Sequence, residues 1–150
     1  MSGNYYDQIT PLKLLLVDDS IVMRALFSEV FERAEGIRLV GAANGADEAR
    51  KMIKAFDPDV ITLDIEMPKT TGLEFLQELM ETDPRPVVML SARMDDGRAA
   101  RDKAYELGAS ACFPKPKGDR AEFARVLADL CRTVTEAHEN WAPPESEAAS

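Results

Sequence analysis

The sequence predicts an α/β fold, a single parallel sheet of five strands with helices packed on both faces. Two observations carry this. Five short apolar runs alternate with five longer segments whose apolar residues recur at helical spacing. The runs are almost continuously apolar instead of alternating with polar residues, as strands covered on both faces are. No internal repeat or low-complexity block breaks the pattern.

Residues 1–11 are polar apart from Tyr5 and Tyr6 and read as a loose leader ending at Pro11. Lys13 to Val17 forms the first strand, followed by Asp18-Asp19-Ser20. Ser20 suits a helix N-cap, and the two acids suit a helix N-terminus. Val22, Leu26 and Val30, flanked by Met23, Phe27 and Phe31, give the first helix a wide apolar stripe, and Gly36 ends it. Ile37 to Ala43 is the second strand, and Asn44-Gly45 turns the chain into a second helix carrying Ala46, Ala49, Met52, Ile53 and Phe56. Asp57-Pro58 precedes the third strand, Val60 to Leu63, with Asp64 at its end. Gly72 opens a third helix on Leu73, Leu76, Leu79 and Met80, stopped before Pro84 and Pro86. Val87 to Leu90 is the fourth strand, with Ser91 at its end. Asp95-Asp96-Gly97 leads to a fourth helix, ending at Gly108, on a thin apolar stripe of Ala99, Ala100, Ala104 and Leu107. Ala111-Cys112-Phe113 is a short fifth strand, followed by Pro114-Lys115-Pro116. Phe123, Val126, Leu127, Leu130, Cys131 and Val134 make a strongly periodic fifth helix. The chain turns polar from about Glu136, so the folded domain is placed at 12–137 and a disordered tail at 138–150.

Composition narrows the function. A chain of 150 residues with 45% apolar content is sized for one domain with its own core. A net charge of −9 argues against a nucleic-acid partner, which needs clustered Lys and Arg. No basic leader with an apolar segment and no membrane-spanning run is visible, so a cytoplasmic protein without membrane contact is expected. Cys112 and Cys131 form no metal or disulfide pattern and read as core residues.

Parallel strands bring their C-terminal ends to one edge, where ligands of open α/β sheets bind. That edge collects Asp18, Asp19, Asp64, Ser91 and Lys115. Each has an ordinary structural role available: a helix-dipole acid, a strand-ending acid, a loop cap or a surface lysine. Their convergence is what argues for chemistry. Three carboxylates repel unless a cation or proton intervenes, and oxygen-only ligands favour a hard divalent ion such as Mg²⁺. Phosphoryl transfer to a carboxylate needs a nucleophile, a metal on the phosphoryl oxygens and further donors. Asp64 can be the nucleophile, Ser91 a donor and Lys115 a counter-ion.

The motifs Val17-Asp18-Asp19-Ser20, Leu63-Asp64-Ile65-Glu66-Met67-Pro68, Met89-Leu90-Ser91-Ala92, and Leu107-Gly108-Ala109 followed by Lys115-Pro116 resemble the signatures of response-regulator receiver domains over roughly residues 12 to 135. Asp18-Asp19-Ser20 with Arg24, and the run from Leu63 to Pro68, look most like chemotaxis receivers, in particular the receiver half of the chemotaxis methylesterase. The resemblance implies a flavodoxin-like (βα)5 three-layer sandwich with strand order 2-1-3-4-5. It implies that Asp64 takes phosphate from the phosphotransfer domain of a chemotaxis histidine kinase. Asp19 and Asp64 would hold Mg²⁺ directly, Asp18 through water and Glu66 through its backbone carbonyl. Ser91 and Lys115 would contact the phosphoryl group, aimed by a cis Lys115–Pro116 bond. Glu66 and Arg93 would tune dephosphorylation, and small Ala92 would leave the phosphoryl group accessible. Output would come from the face of helix four, strand five and helix five.

The sequence also departs from the family pattern. An aromatic usually stands three residues before the lysine; here Cys112 does, with Phe113 beside it. Pro114 lies in a short strand, where it removes a ladder donor, and Thr70-Thr71 replaces the commoner acid before Gly72. After Lys115, one helix and the tail use the rest of the chain. The expectation is therefore a monomeric, single-domain regulator, not an enzyme, whose partner is the flagellar motor switch. The alternatives are an isolated methylesterase receiver, a phosphate sink or a relay intermediate. An Mg²⁺-dependent phosphatase is disfavoured, because adjacent Asp18-Asp19 does not match the Asp-x-Asp such enzymes show. A phosphate-loop nucleotidase lacks its Gly-Lys-Ser/Thr, and the lone His138 does not suit a phosphotransfer histidine.

Overall fold

The computed structural model describes residues 10–92, 97–116 and 120–144. Its elements are β1 (Leu12–Val17), α1 (Ile21–Arg33), β2 (Ile37–Ala43), α2 (Ala46–Phe56), β3 (Val60–Asp64), α3 (Gly72–Thr82), β4 (Val87–Ser91), α4 (Gly97–Leu107), β5 (Ala111–Pro114) and α5 (Arg120–Glu139). The five strands are all parallel, in the order β2-β1-β3-β4-β5. This is the flavodoxin-like order expected from the sequence.

Strand periodicity sorts the core into two layers. On one face Leu14, Leu16, Val60, Val88 and Leu90 meet Phe27 and Phe31 of α1 and Leu127, Leu130 and Val134 of α5. On the other, Leu15, Val17, Ile61, Leu63 and Met89 meet Ala49 and Ile53 of α2, Phe75, Leu76 and Leu79 of α3 and Ala104 of α4. Side chains this large, fully buried, contribute about 1.5–3 kcal/mol each. Ala104 is the one buried anchor of α4 among its described residues; Ala100 and Leu107 are half-buried and Ala99 is exposed.

Helix entries follow local chemistry. The Ser20 hydroxyl accepts the Met23 amide at 3.2 Å, as an N-cap should. Thr71 caps α3 with a full capping box: its hydroxyl accepts the Glu74 amide, and Glu74 accepts the Thr71 amide. Gly36 ends α1 with φ +80°, where a left-handed turn favours glycine.

Two expectations need correction. The last helix does not stop before a tail at 138: it continues through Glu139, with Ala137 buried and Trp141 half-buried beyond it. Leu130, Val134 and Ala137 keep one apolar face down, so the polar residues after Glu136 decorate the other face of a helix. The Lys115–Pro116 bond is trans, for no cis peptide occurs among the described residues. The trans form carries the usual preference of about 0.5–1 kcal/mol, and Lys115 reaches its partners from it. Pro114 is tolerated because β5 is an edge strand. Residues 1–9 of the leader, 145–150 of the tail, and Arg93 lie outside the described residues.

Candidate phosphoacceptor site

β1 and β3 are neighbours, so the residues at their C-terminal ends meet. Asp18 is fully buried and Asp64 nearly so, whereas Asp19 is exposed. One carboxylate oxygen from each lies within 4.8 Å of the other two. Local turns hold them. The Ser20 amide donates to Asp18 Oδ1 at 2.9 Å, and the Glu66 amide donates to Asp64 Oδ1 at 3.1 Å. Arg24 Nη1 donates to the Asp18 carbonyl at 2.7 Å, tying α1 back to the end of β1.

Lys115 enters from beyond β5. Its backbone amide donates to the Ser91 carbonyl at 2.8 Å, and its Nζ lies 2.9 Å from Asp18 Oδ2 and 3.1 Å from Asp64 Oδ2. One ammonium thus bridges two buried carboxylates. Burial pushes the Asp64 carboxyl up to about 7, with Asp18 and Asp19 adding to the rise and Lys115 opposing it. Burial acts to lower the Lys115 ammonium, but hydrogen bonding and charge from Asp18 and Asp64 outweigh it and raise the group.

The donor set fits a hard divalent cation. Three clustered carboxylates carry more negative charge than one ammonium neutralises, and all offer oxygen. Asp18 Oδ2 is buried, and its charge is met by Lys115, not by a well-aligned hydrogen bond.

Ser91 lies at the same edge, as expected, but its hydroxyl donates to Glu66 Oε2 at 3.0 Å, and the Ala92 amide donates to Glu66 Oε1 at 3.0 Å. The family resemblance implies for Glu66 a backbone carbonyl at the metal and a tuning of dephosphorylation; the reach of its side chain to Ser91 and Ala92 is not marked by any motif. Cys112 packs toward the α2–α3–α4 layer and Phe113 toward the α1–α5 layer, so Phe113 does not take the place of Cys112. An aromatic arrives from elsewhere: Tyr105 of α4 offers its hydroxyl oxygen to the Cys112 amide at 3.1 Å. The contact joins residues seven apart on different elements, and no motif marks it. Burial raises the Cys112 thiol above its ordinary value, the Tyr105 hydroxyl and Arg101 acting in opposition. Ile21 and Val22, on the first turn of α1 beside Asp19, are largely exposed.

Comparison with known proteins bears on the family and the fold. The family model described as "Response regulator receiver domain" matches residues 14–127. A curated relative from Burkholderia thailandensis, named protein-glutamate methylesterase/protein-glutamine glutaminase 2, is 44% identical over 125 residues, covering 81% of this chain and 35% of its own. The response regulator domain of Thermotoga maritima CheB superposes with a TM-score of 0.79 at 32% identity, covering 88% of this chain and 99% of that one. A structure described as the P1 domain of CheA3 in complex with CheY6 from R. sphaeroides matches with a TM-score of 0.70 at 30% identity, covering 85% and 98%. The chain spans about a third of the length of the curated relatives it matches, 35%, 30% and 33% for three of them. Those relatives are enzymes by name, which corrects the expectation of a protein that is not an enzyme; the residues matched to them are the receiver portion. Among the described residues no helix is long and apolar enough to cross a membrane.

Proposed function

The chain belongs to the response regulator receiver domain family, and from that premise we propose that Asp64 is the phosphoacceptor of an Mg²⁺-dependent phosphoryl transfer from a histidine kinase's phosphotransfer domain. The observation that supports it most is the buried Asp18–Lys115–Asp64 bridge with Asp19 beside it. An Asp64 carboxylate oxygen attacks phosphorus, the phosphorus–nitrogen bond of phosphohistidine breaks, and the departing imidazole keeps the electron pair and takes a proton. Lys115, already 3.1 Å from Asp64, counters the charge that gathers on the phosphoryl oxygens. The carboxylates of Asp18, Asp19 and Asp64 and the Glu66 carbonyl would hold the Mg²⁺, which supplies further charge neutralisation. The exposed pair Ile21 and Val22 offers the phosphotransfer domain an apolar contact next to the acceptor.

For output, the methylesterase/glutaminase names of the relatives favour a receiver that governs such an enzyme through the face of α4, β5 and α5. A second reading, binding to the flagellar motor switch, draws on the likeness to chemotaxis regulators such as CheY6. Intact-mass measurement after incubation with Mg²⁺ and a small phosphodonor tests the shared core of both. One phosphate should appear on the wild type and be absent from Asp64→Asn and from wild type with EDTA. An adduct that survives in Asp64→Asn would place the acceptor elsewhere and refute the assignment.

A further inference from the structure

Glu66 follows Asp64 by two residues, and its amide holds Asp64 Oδ1. That turn aims the Glu66 side chain at the neighbouring strand. Asp64 pairs in register with Leu90, so Ser91, the last residue of β4, and Ala92 after it stand just beyond Asp64. One oxygen of the Glu66 carboxylate takes the Ser91 hydroxyl and the other takes the Ala92 amide, both at 3.0 Å. A single anion thus occupies two donors that lie next to the phosphoacceptor. A carboxylate and a phosphoryl group ask for the same thing, short hydrogen bonds from O–H and N–H to charged oxygens. One hydroxyl proton and one amide proton cannot serve both well.

We propose that the Glu66 carboxylate is an internal competitor for the phosphoryl-binding donors, occupying Ser91 and Ala92 until a phosphoryl group on Asp64 displaces it. This rests on the phosphoacceptor reading above. It assigns Glu66 a positioning role: the side chain holds the Ser91 hydroxyl and the Ala92 amide at the end of β4 in their resting place, and its release frees both donors. The contact spans 25 residues of sequence and joins the turn after β3 to the end of β4. Its loss therefore changes the spacing of the site's rim, and not merely one side chain.

Beryllium fluoride with Mg²⁺, a phosphoryl mimic, provides the test on the full chain. Calorimetric affinity is measured for the wild type, Glu66→Ala and Glu66→Asp. Aspartate keeps the charge but is one methylene too short to span both donors. Both variants should bind the mimic about tenfold more tightly, the scale of losing a charged hydrogen-bonding competitor. In mimic-free protein the Ala92 amide proton should move upfield in both variants, a shift that loss of generic stability would not produce. If Glu66→Asp matches the wild type while Glu66→Ala binds tightly, charge alone is at work and the competition is overturned. Equal affinity in all three overturns it while leaving the phosphoacceptor reading intact. Failure of all three to bind the mimic overturns that reading, and the competition with it.

Discussion

Gly72 is the position where the backbone of the candidate site tolerates least. It is the first residue of α3, its amide donates to the Ile65 carbonyl at 3.0 Å, and it lies directly against the turn that follows Asp64. A Cβ added there would stand 2.1 Å from the Asp64 carbonyl oxygen, 2.8 Å from Ile65 Cα and 2.9 Å from the Asp64 carbonyl carbon, where ordinary contact begins at 3.4 Å. All three are backbone atoms, so no rotamer relieves the clash. Gly72→Ala must push the turn or the helix end back by about 1 Å in a packed interior. Overpacking of this kind costs about 1–3 kcal/mol, and backbone obstruction puts this case at about 3. At roughly 2–4 °C per kcal/mol for a chain of this size, thermal melting should fall by about 6–12 °C. The displaced turn carries Asp64, so phosphate uptake measured by intact mass should slow at least about tenfold even below the melting point, as small misplacements of reacting groups do. A melting temperature within about 2 °C of wild type, with unchanged uptake, would refute the idea that close approach at Gly72 sets the position of Asp64.

Three other perturbations follow from the same geometry. Thr62 is buried with a hydroxyl that has no hydrogen-bond partner among the described residues, so Thr62→Val, nearly the same shape, should raise stability by about 1 kcal/mol in urea titration; a loss of that size would reveal a partner for the hydroxyl. Arg85 is buried and clips the entrance of β3 to the end of α3, through Pro58 O at 2.7 Å, Asp57 at 3.1 Å and Asp83 at 2.6 Å. Arg85→Met should cost about 2 kcal/mol, and an unchanged urea midpoint would show the clip to be idle. In chelator, the Asp64 carboxyl titrates near 3.8 unfolded and is pushed up to about 7 by burial in the fold, so the folded state binds the extra proton between those values. Stability should then fall as pH rises through that window, by at most about 4 kcal/mol, and Asp64→Asn should flatten the fall. An equal slope in the variant would show that another group is responsible.

The sheet and its strand order were legible because five apolar runs and five amphipathic segments agree at every level, from Ser20 as a cap to Gly36 as a terminator. The ends of β1, β3, β4 and β5 were legible too, and so were Asp18, Asp64 and Lys115, since parallel strands leave those residues one place to go. The extent of α5 was misjudged because polarity was weighed over periodicity: Glu136, His138 and Glu139 lie on a helix whose Val134 and Ala137 are buried. The side-chain contacts of Glu66 and Tyr105 were not legible. Each depends on a rotamer reaching another element, Glu66 to β4 and Tyr105 to β5, and no spacing rule encodes that.

The extended α5 carries one more consequence. Trp141, the sole tryptophan of the chain, sits just past its last turn and lines a cavity of about 430 Å³ with Gly108, Ala109 and Ser110 at the entrance to β5. The chain therefore contains a natural fluorophore at the joint between α4 and β5, at the far end of the strands from Asp64. Its emission wavelength and quenching report how tightly that joint is closed, with no label and no competing indole signal.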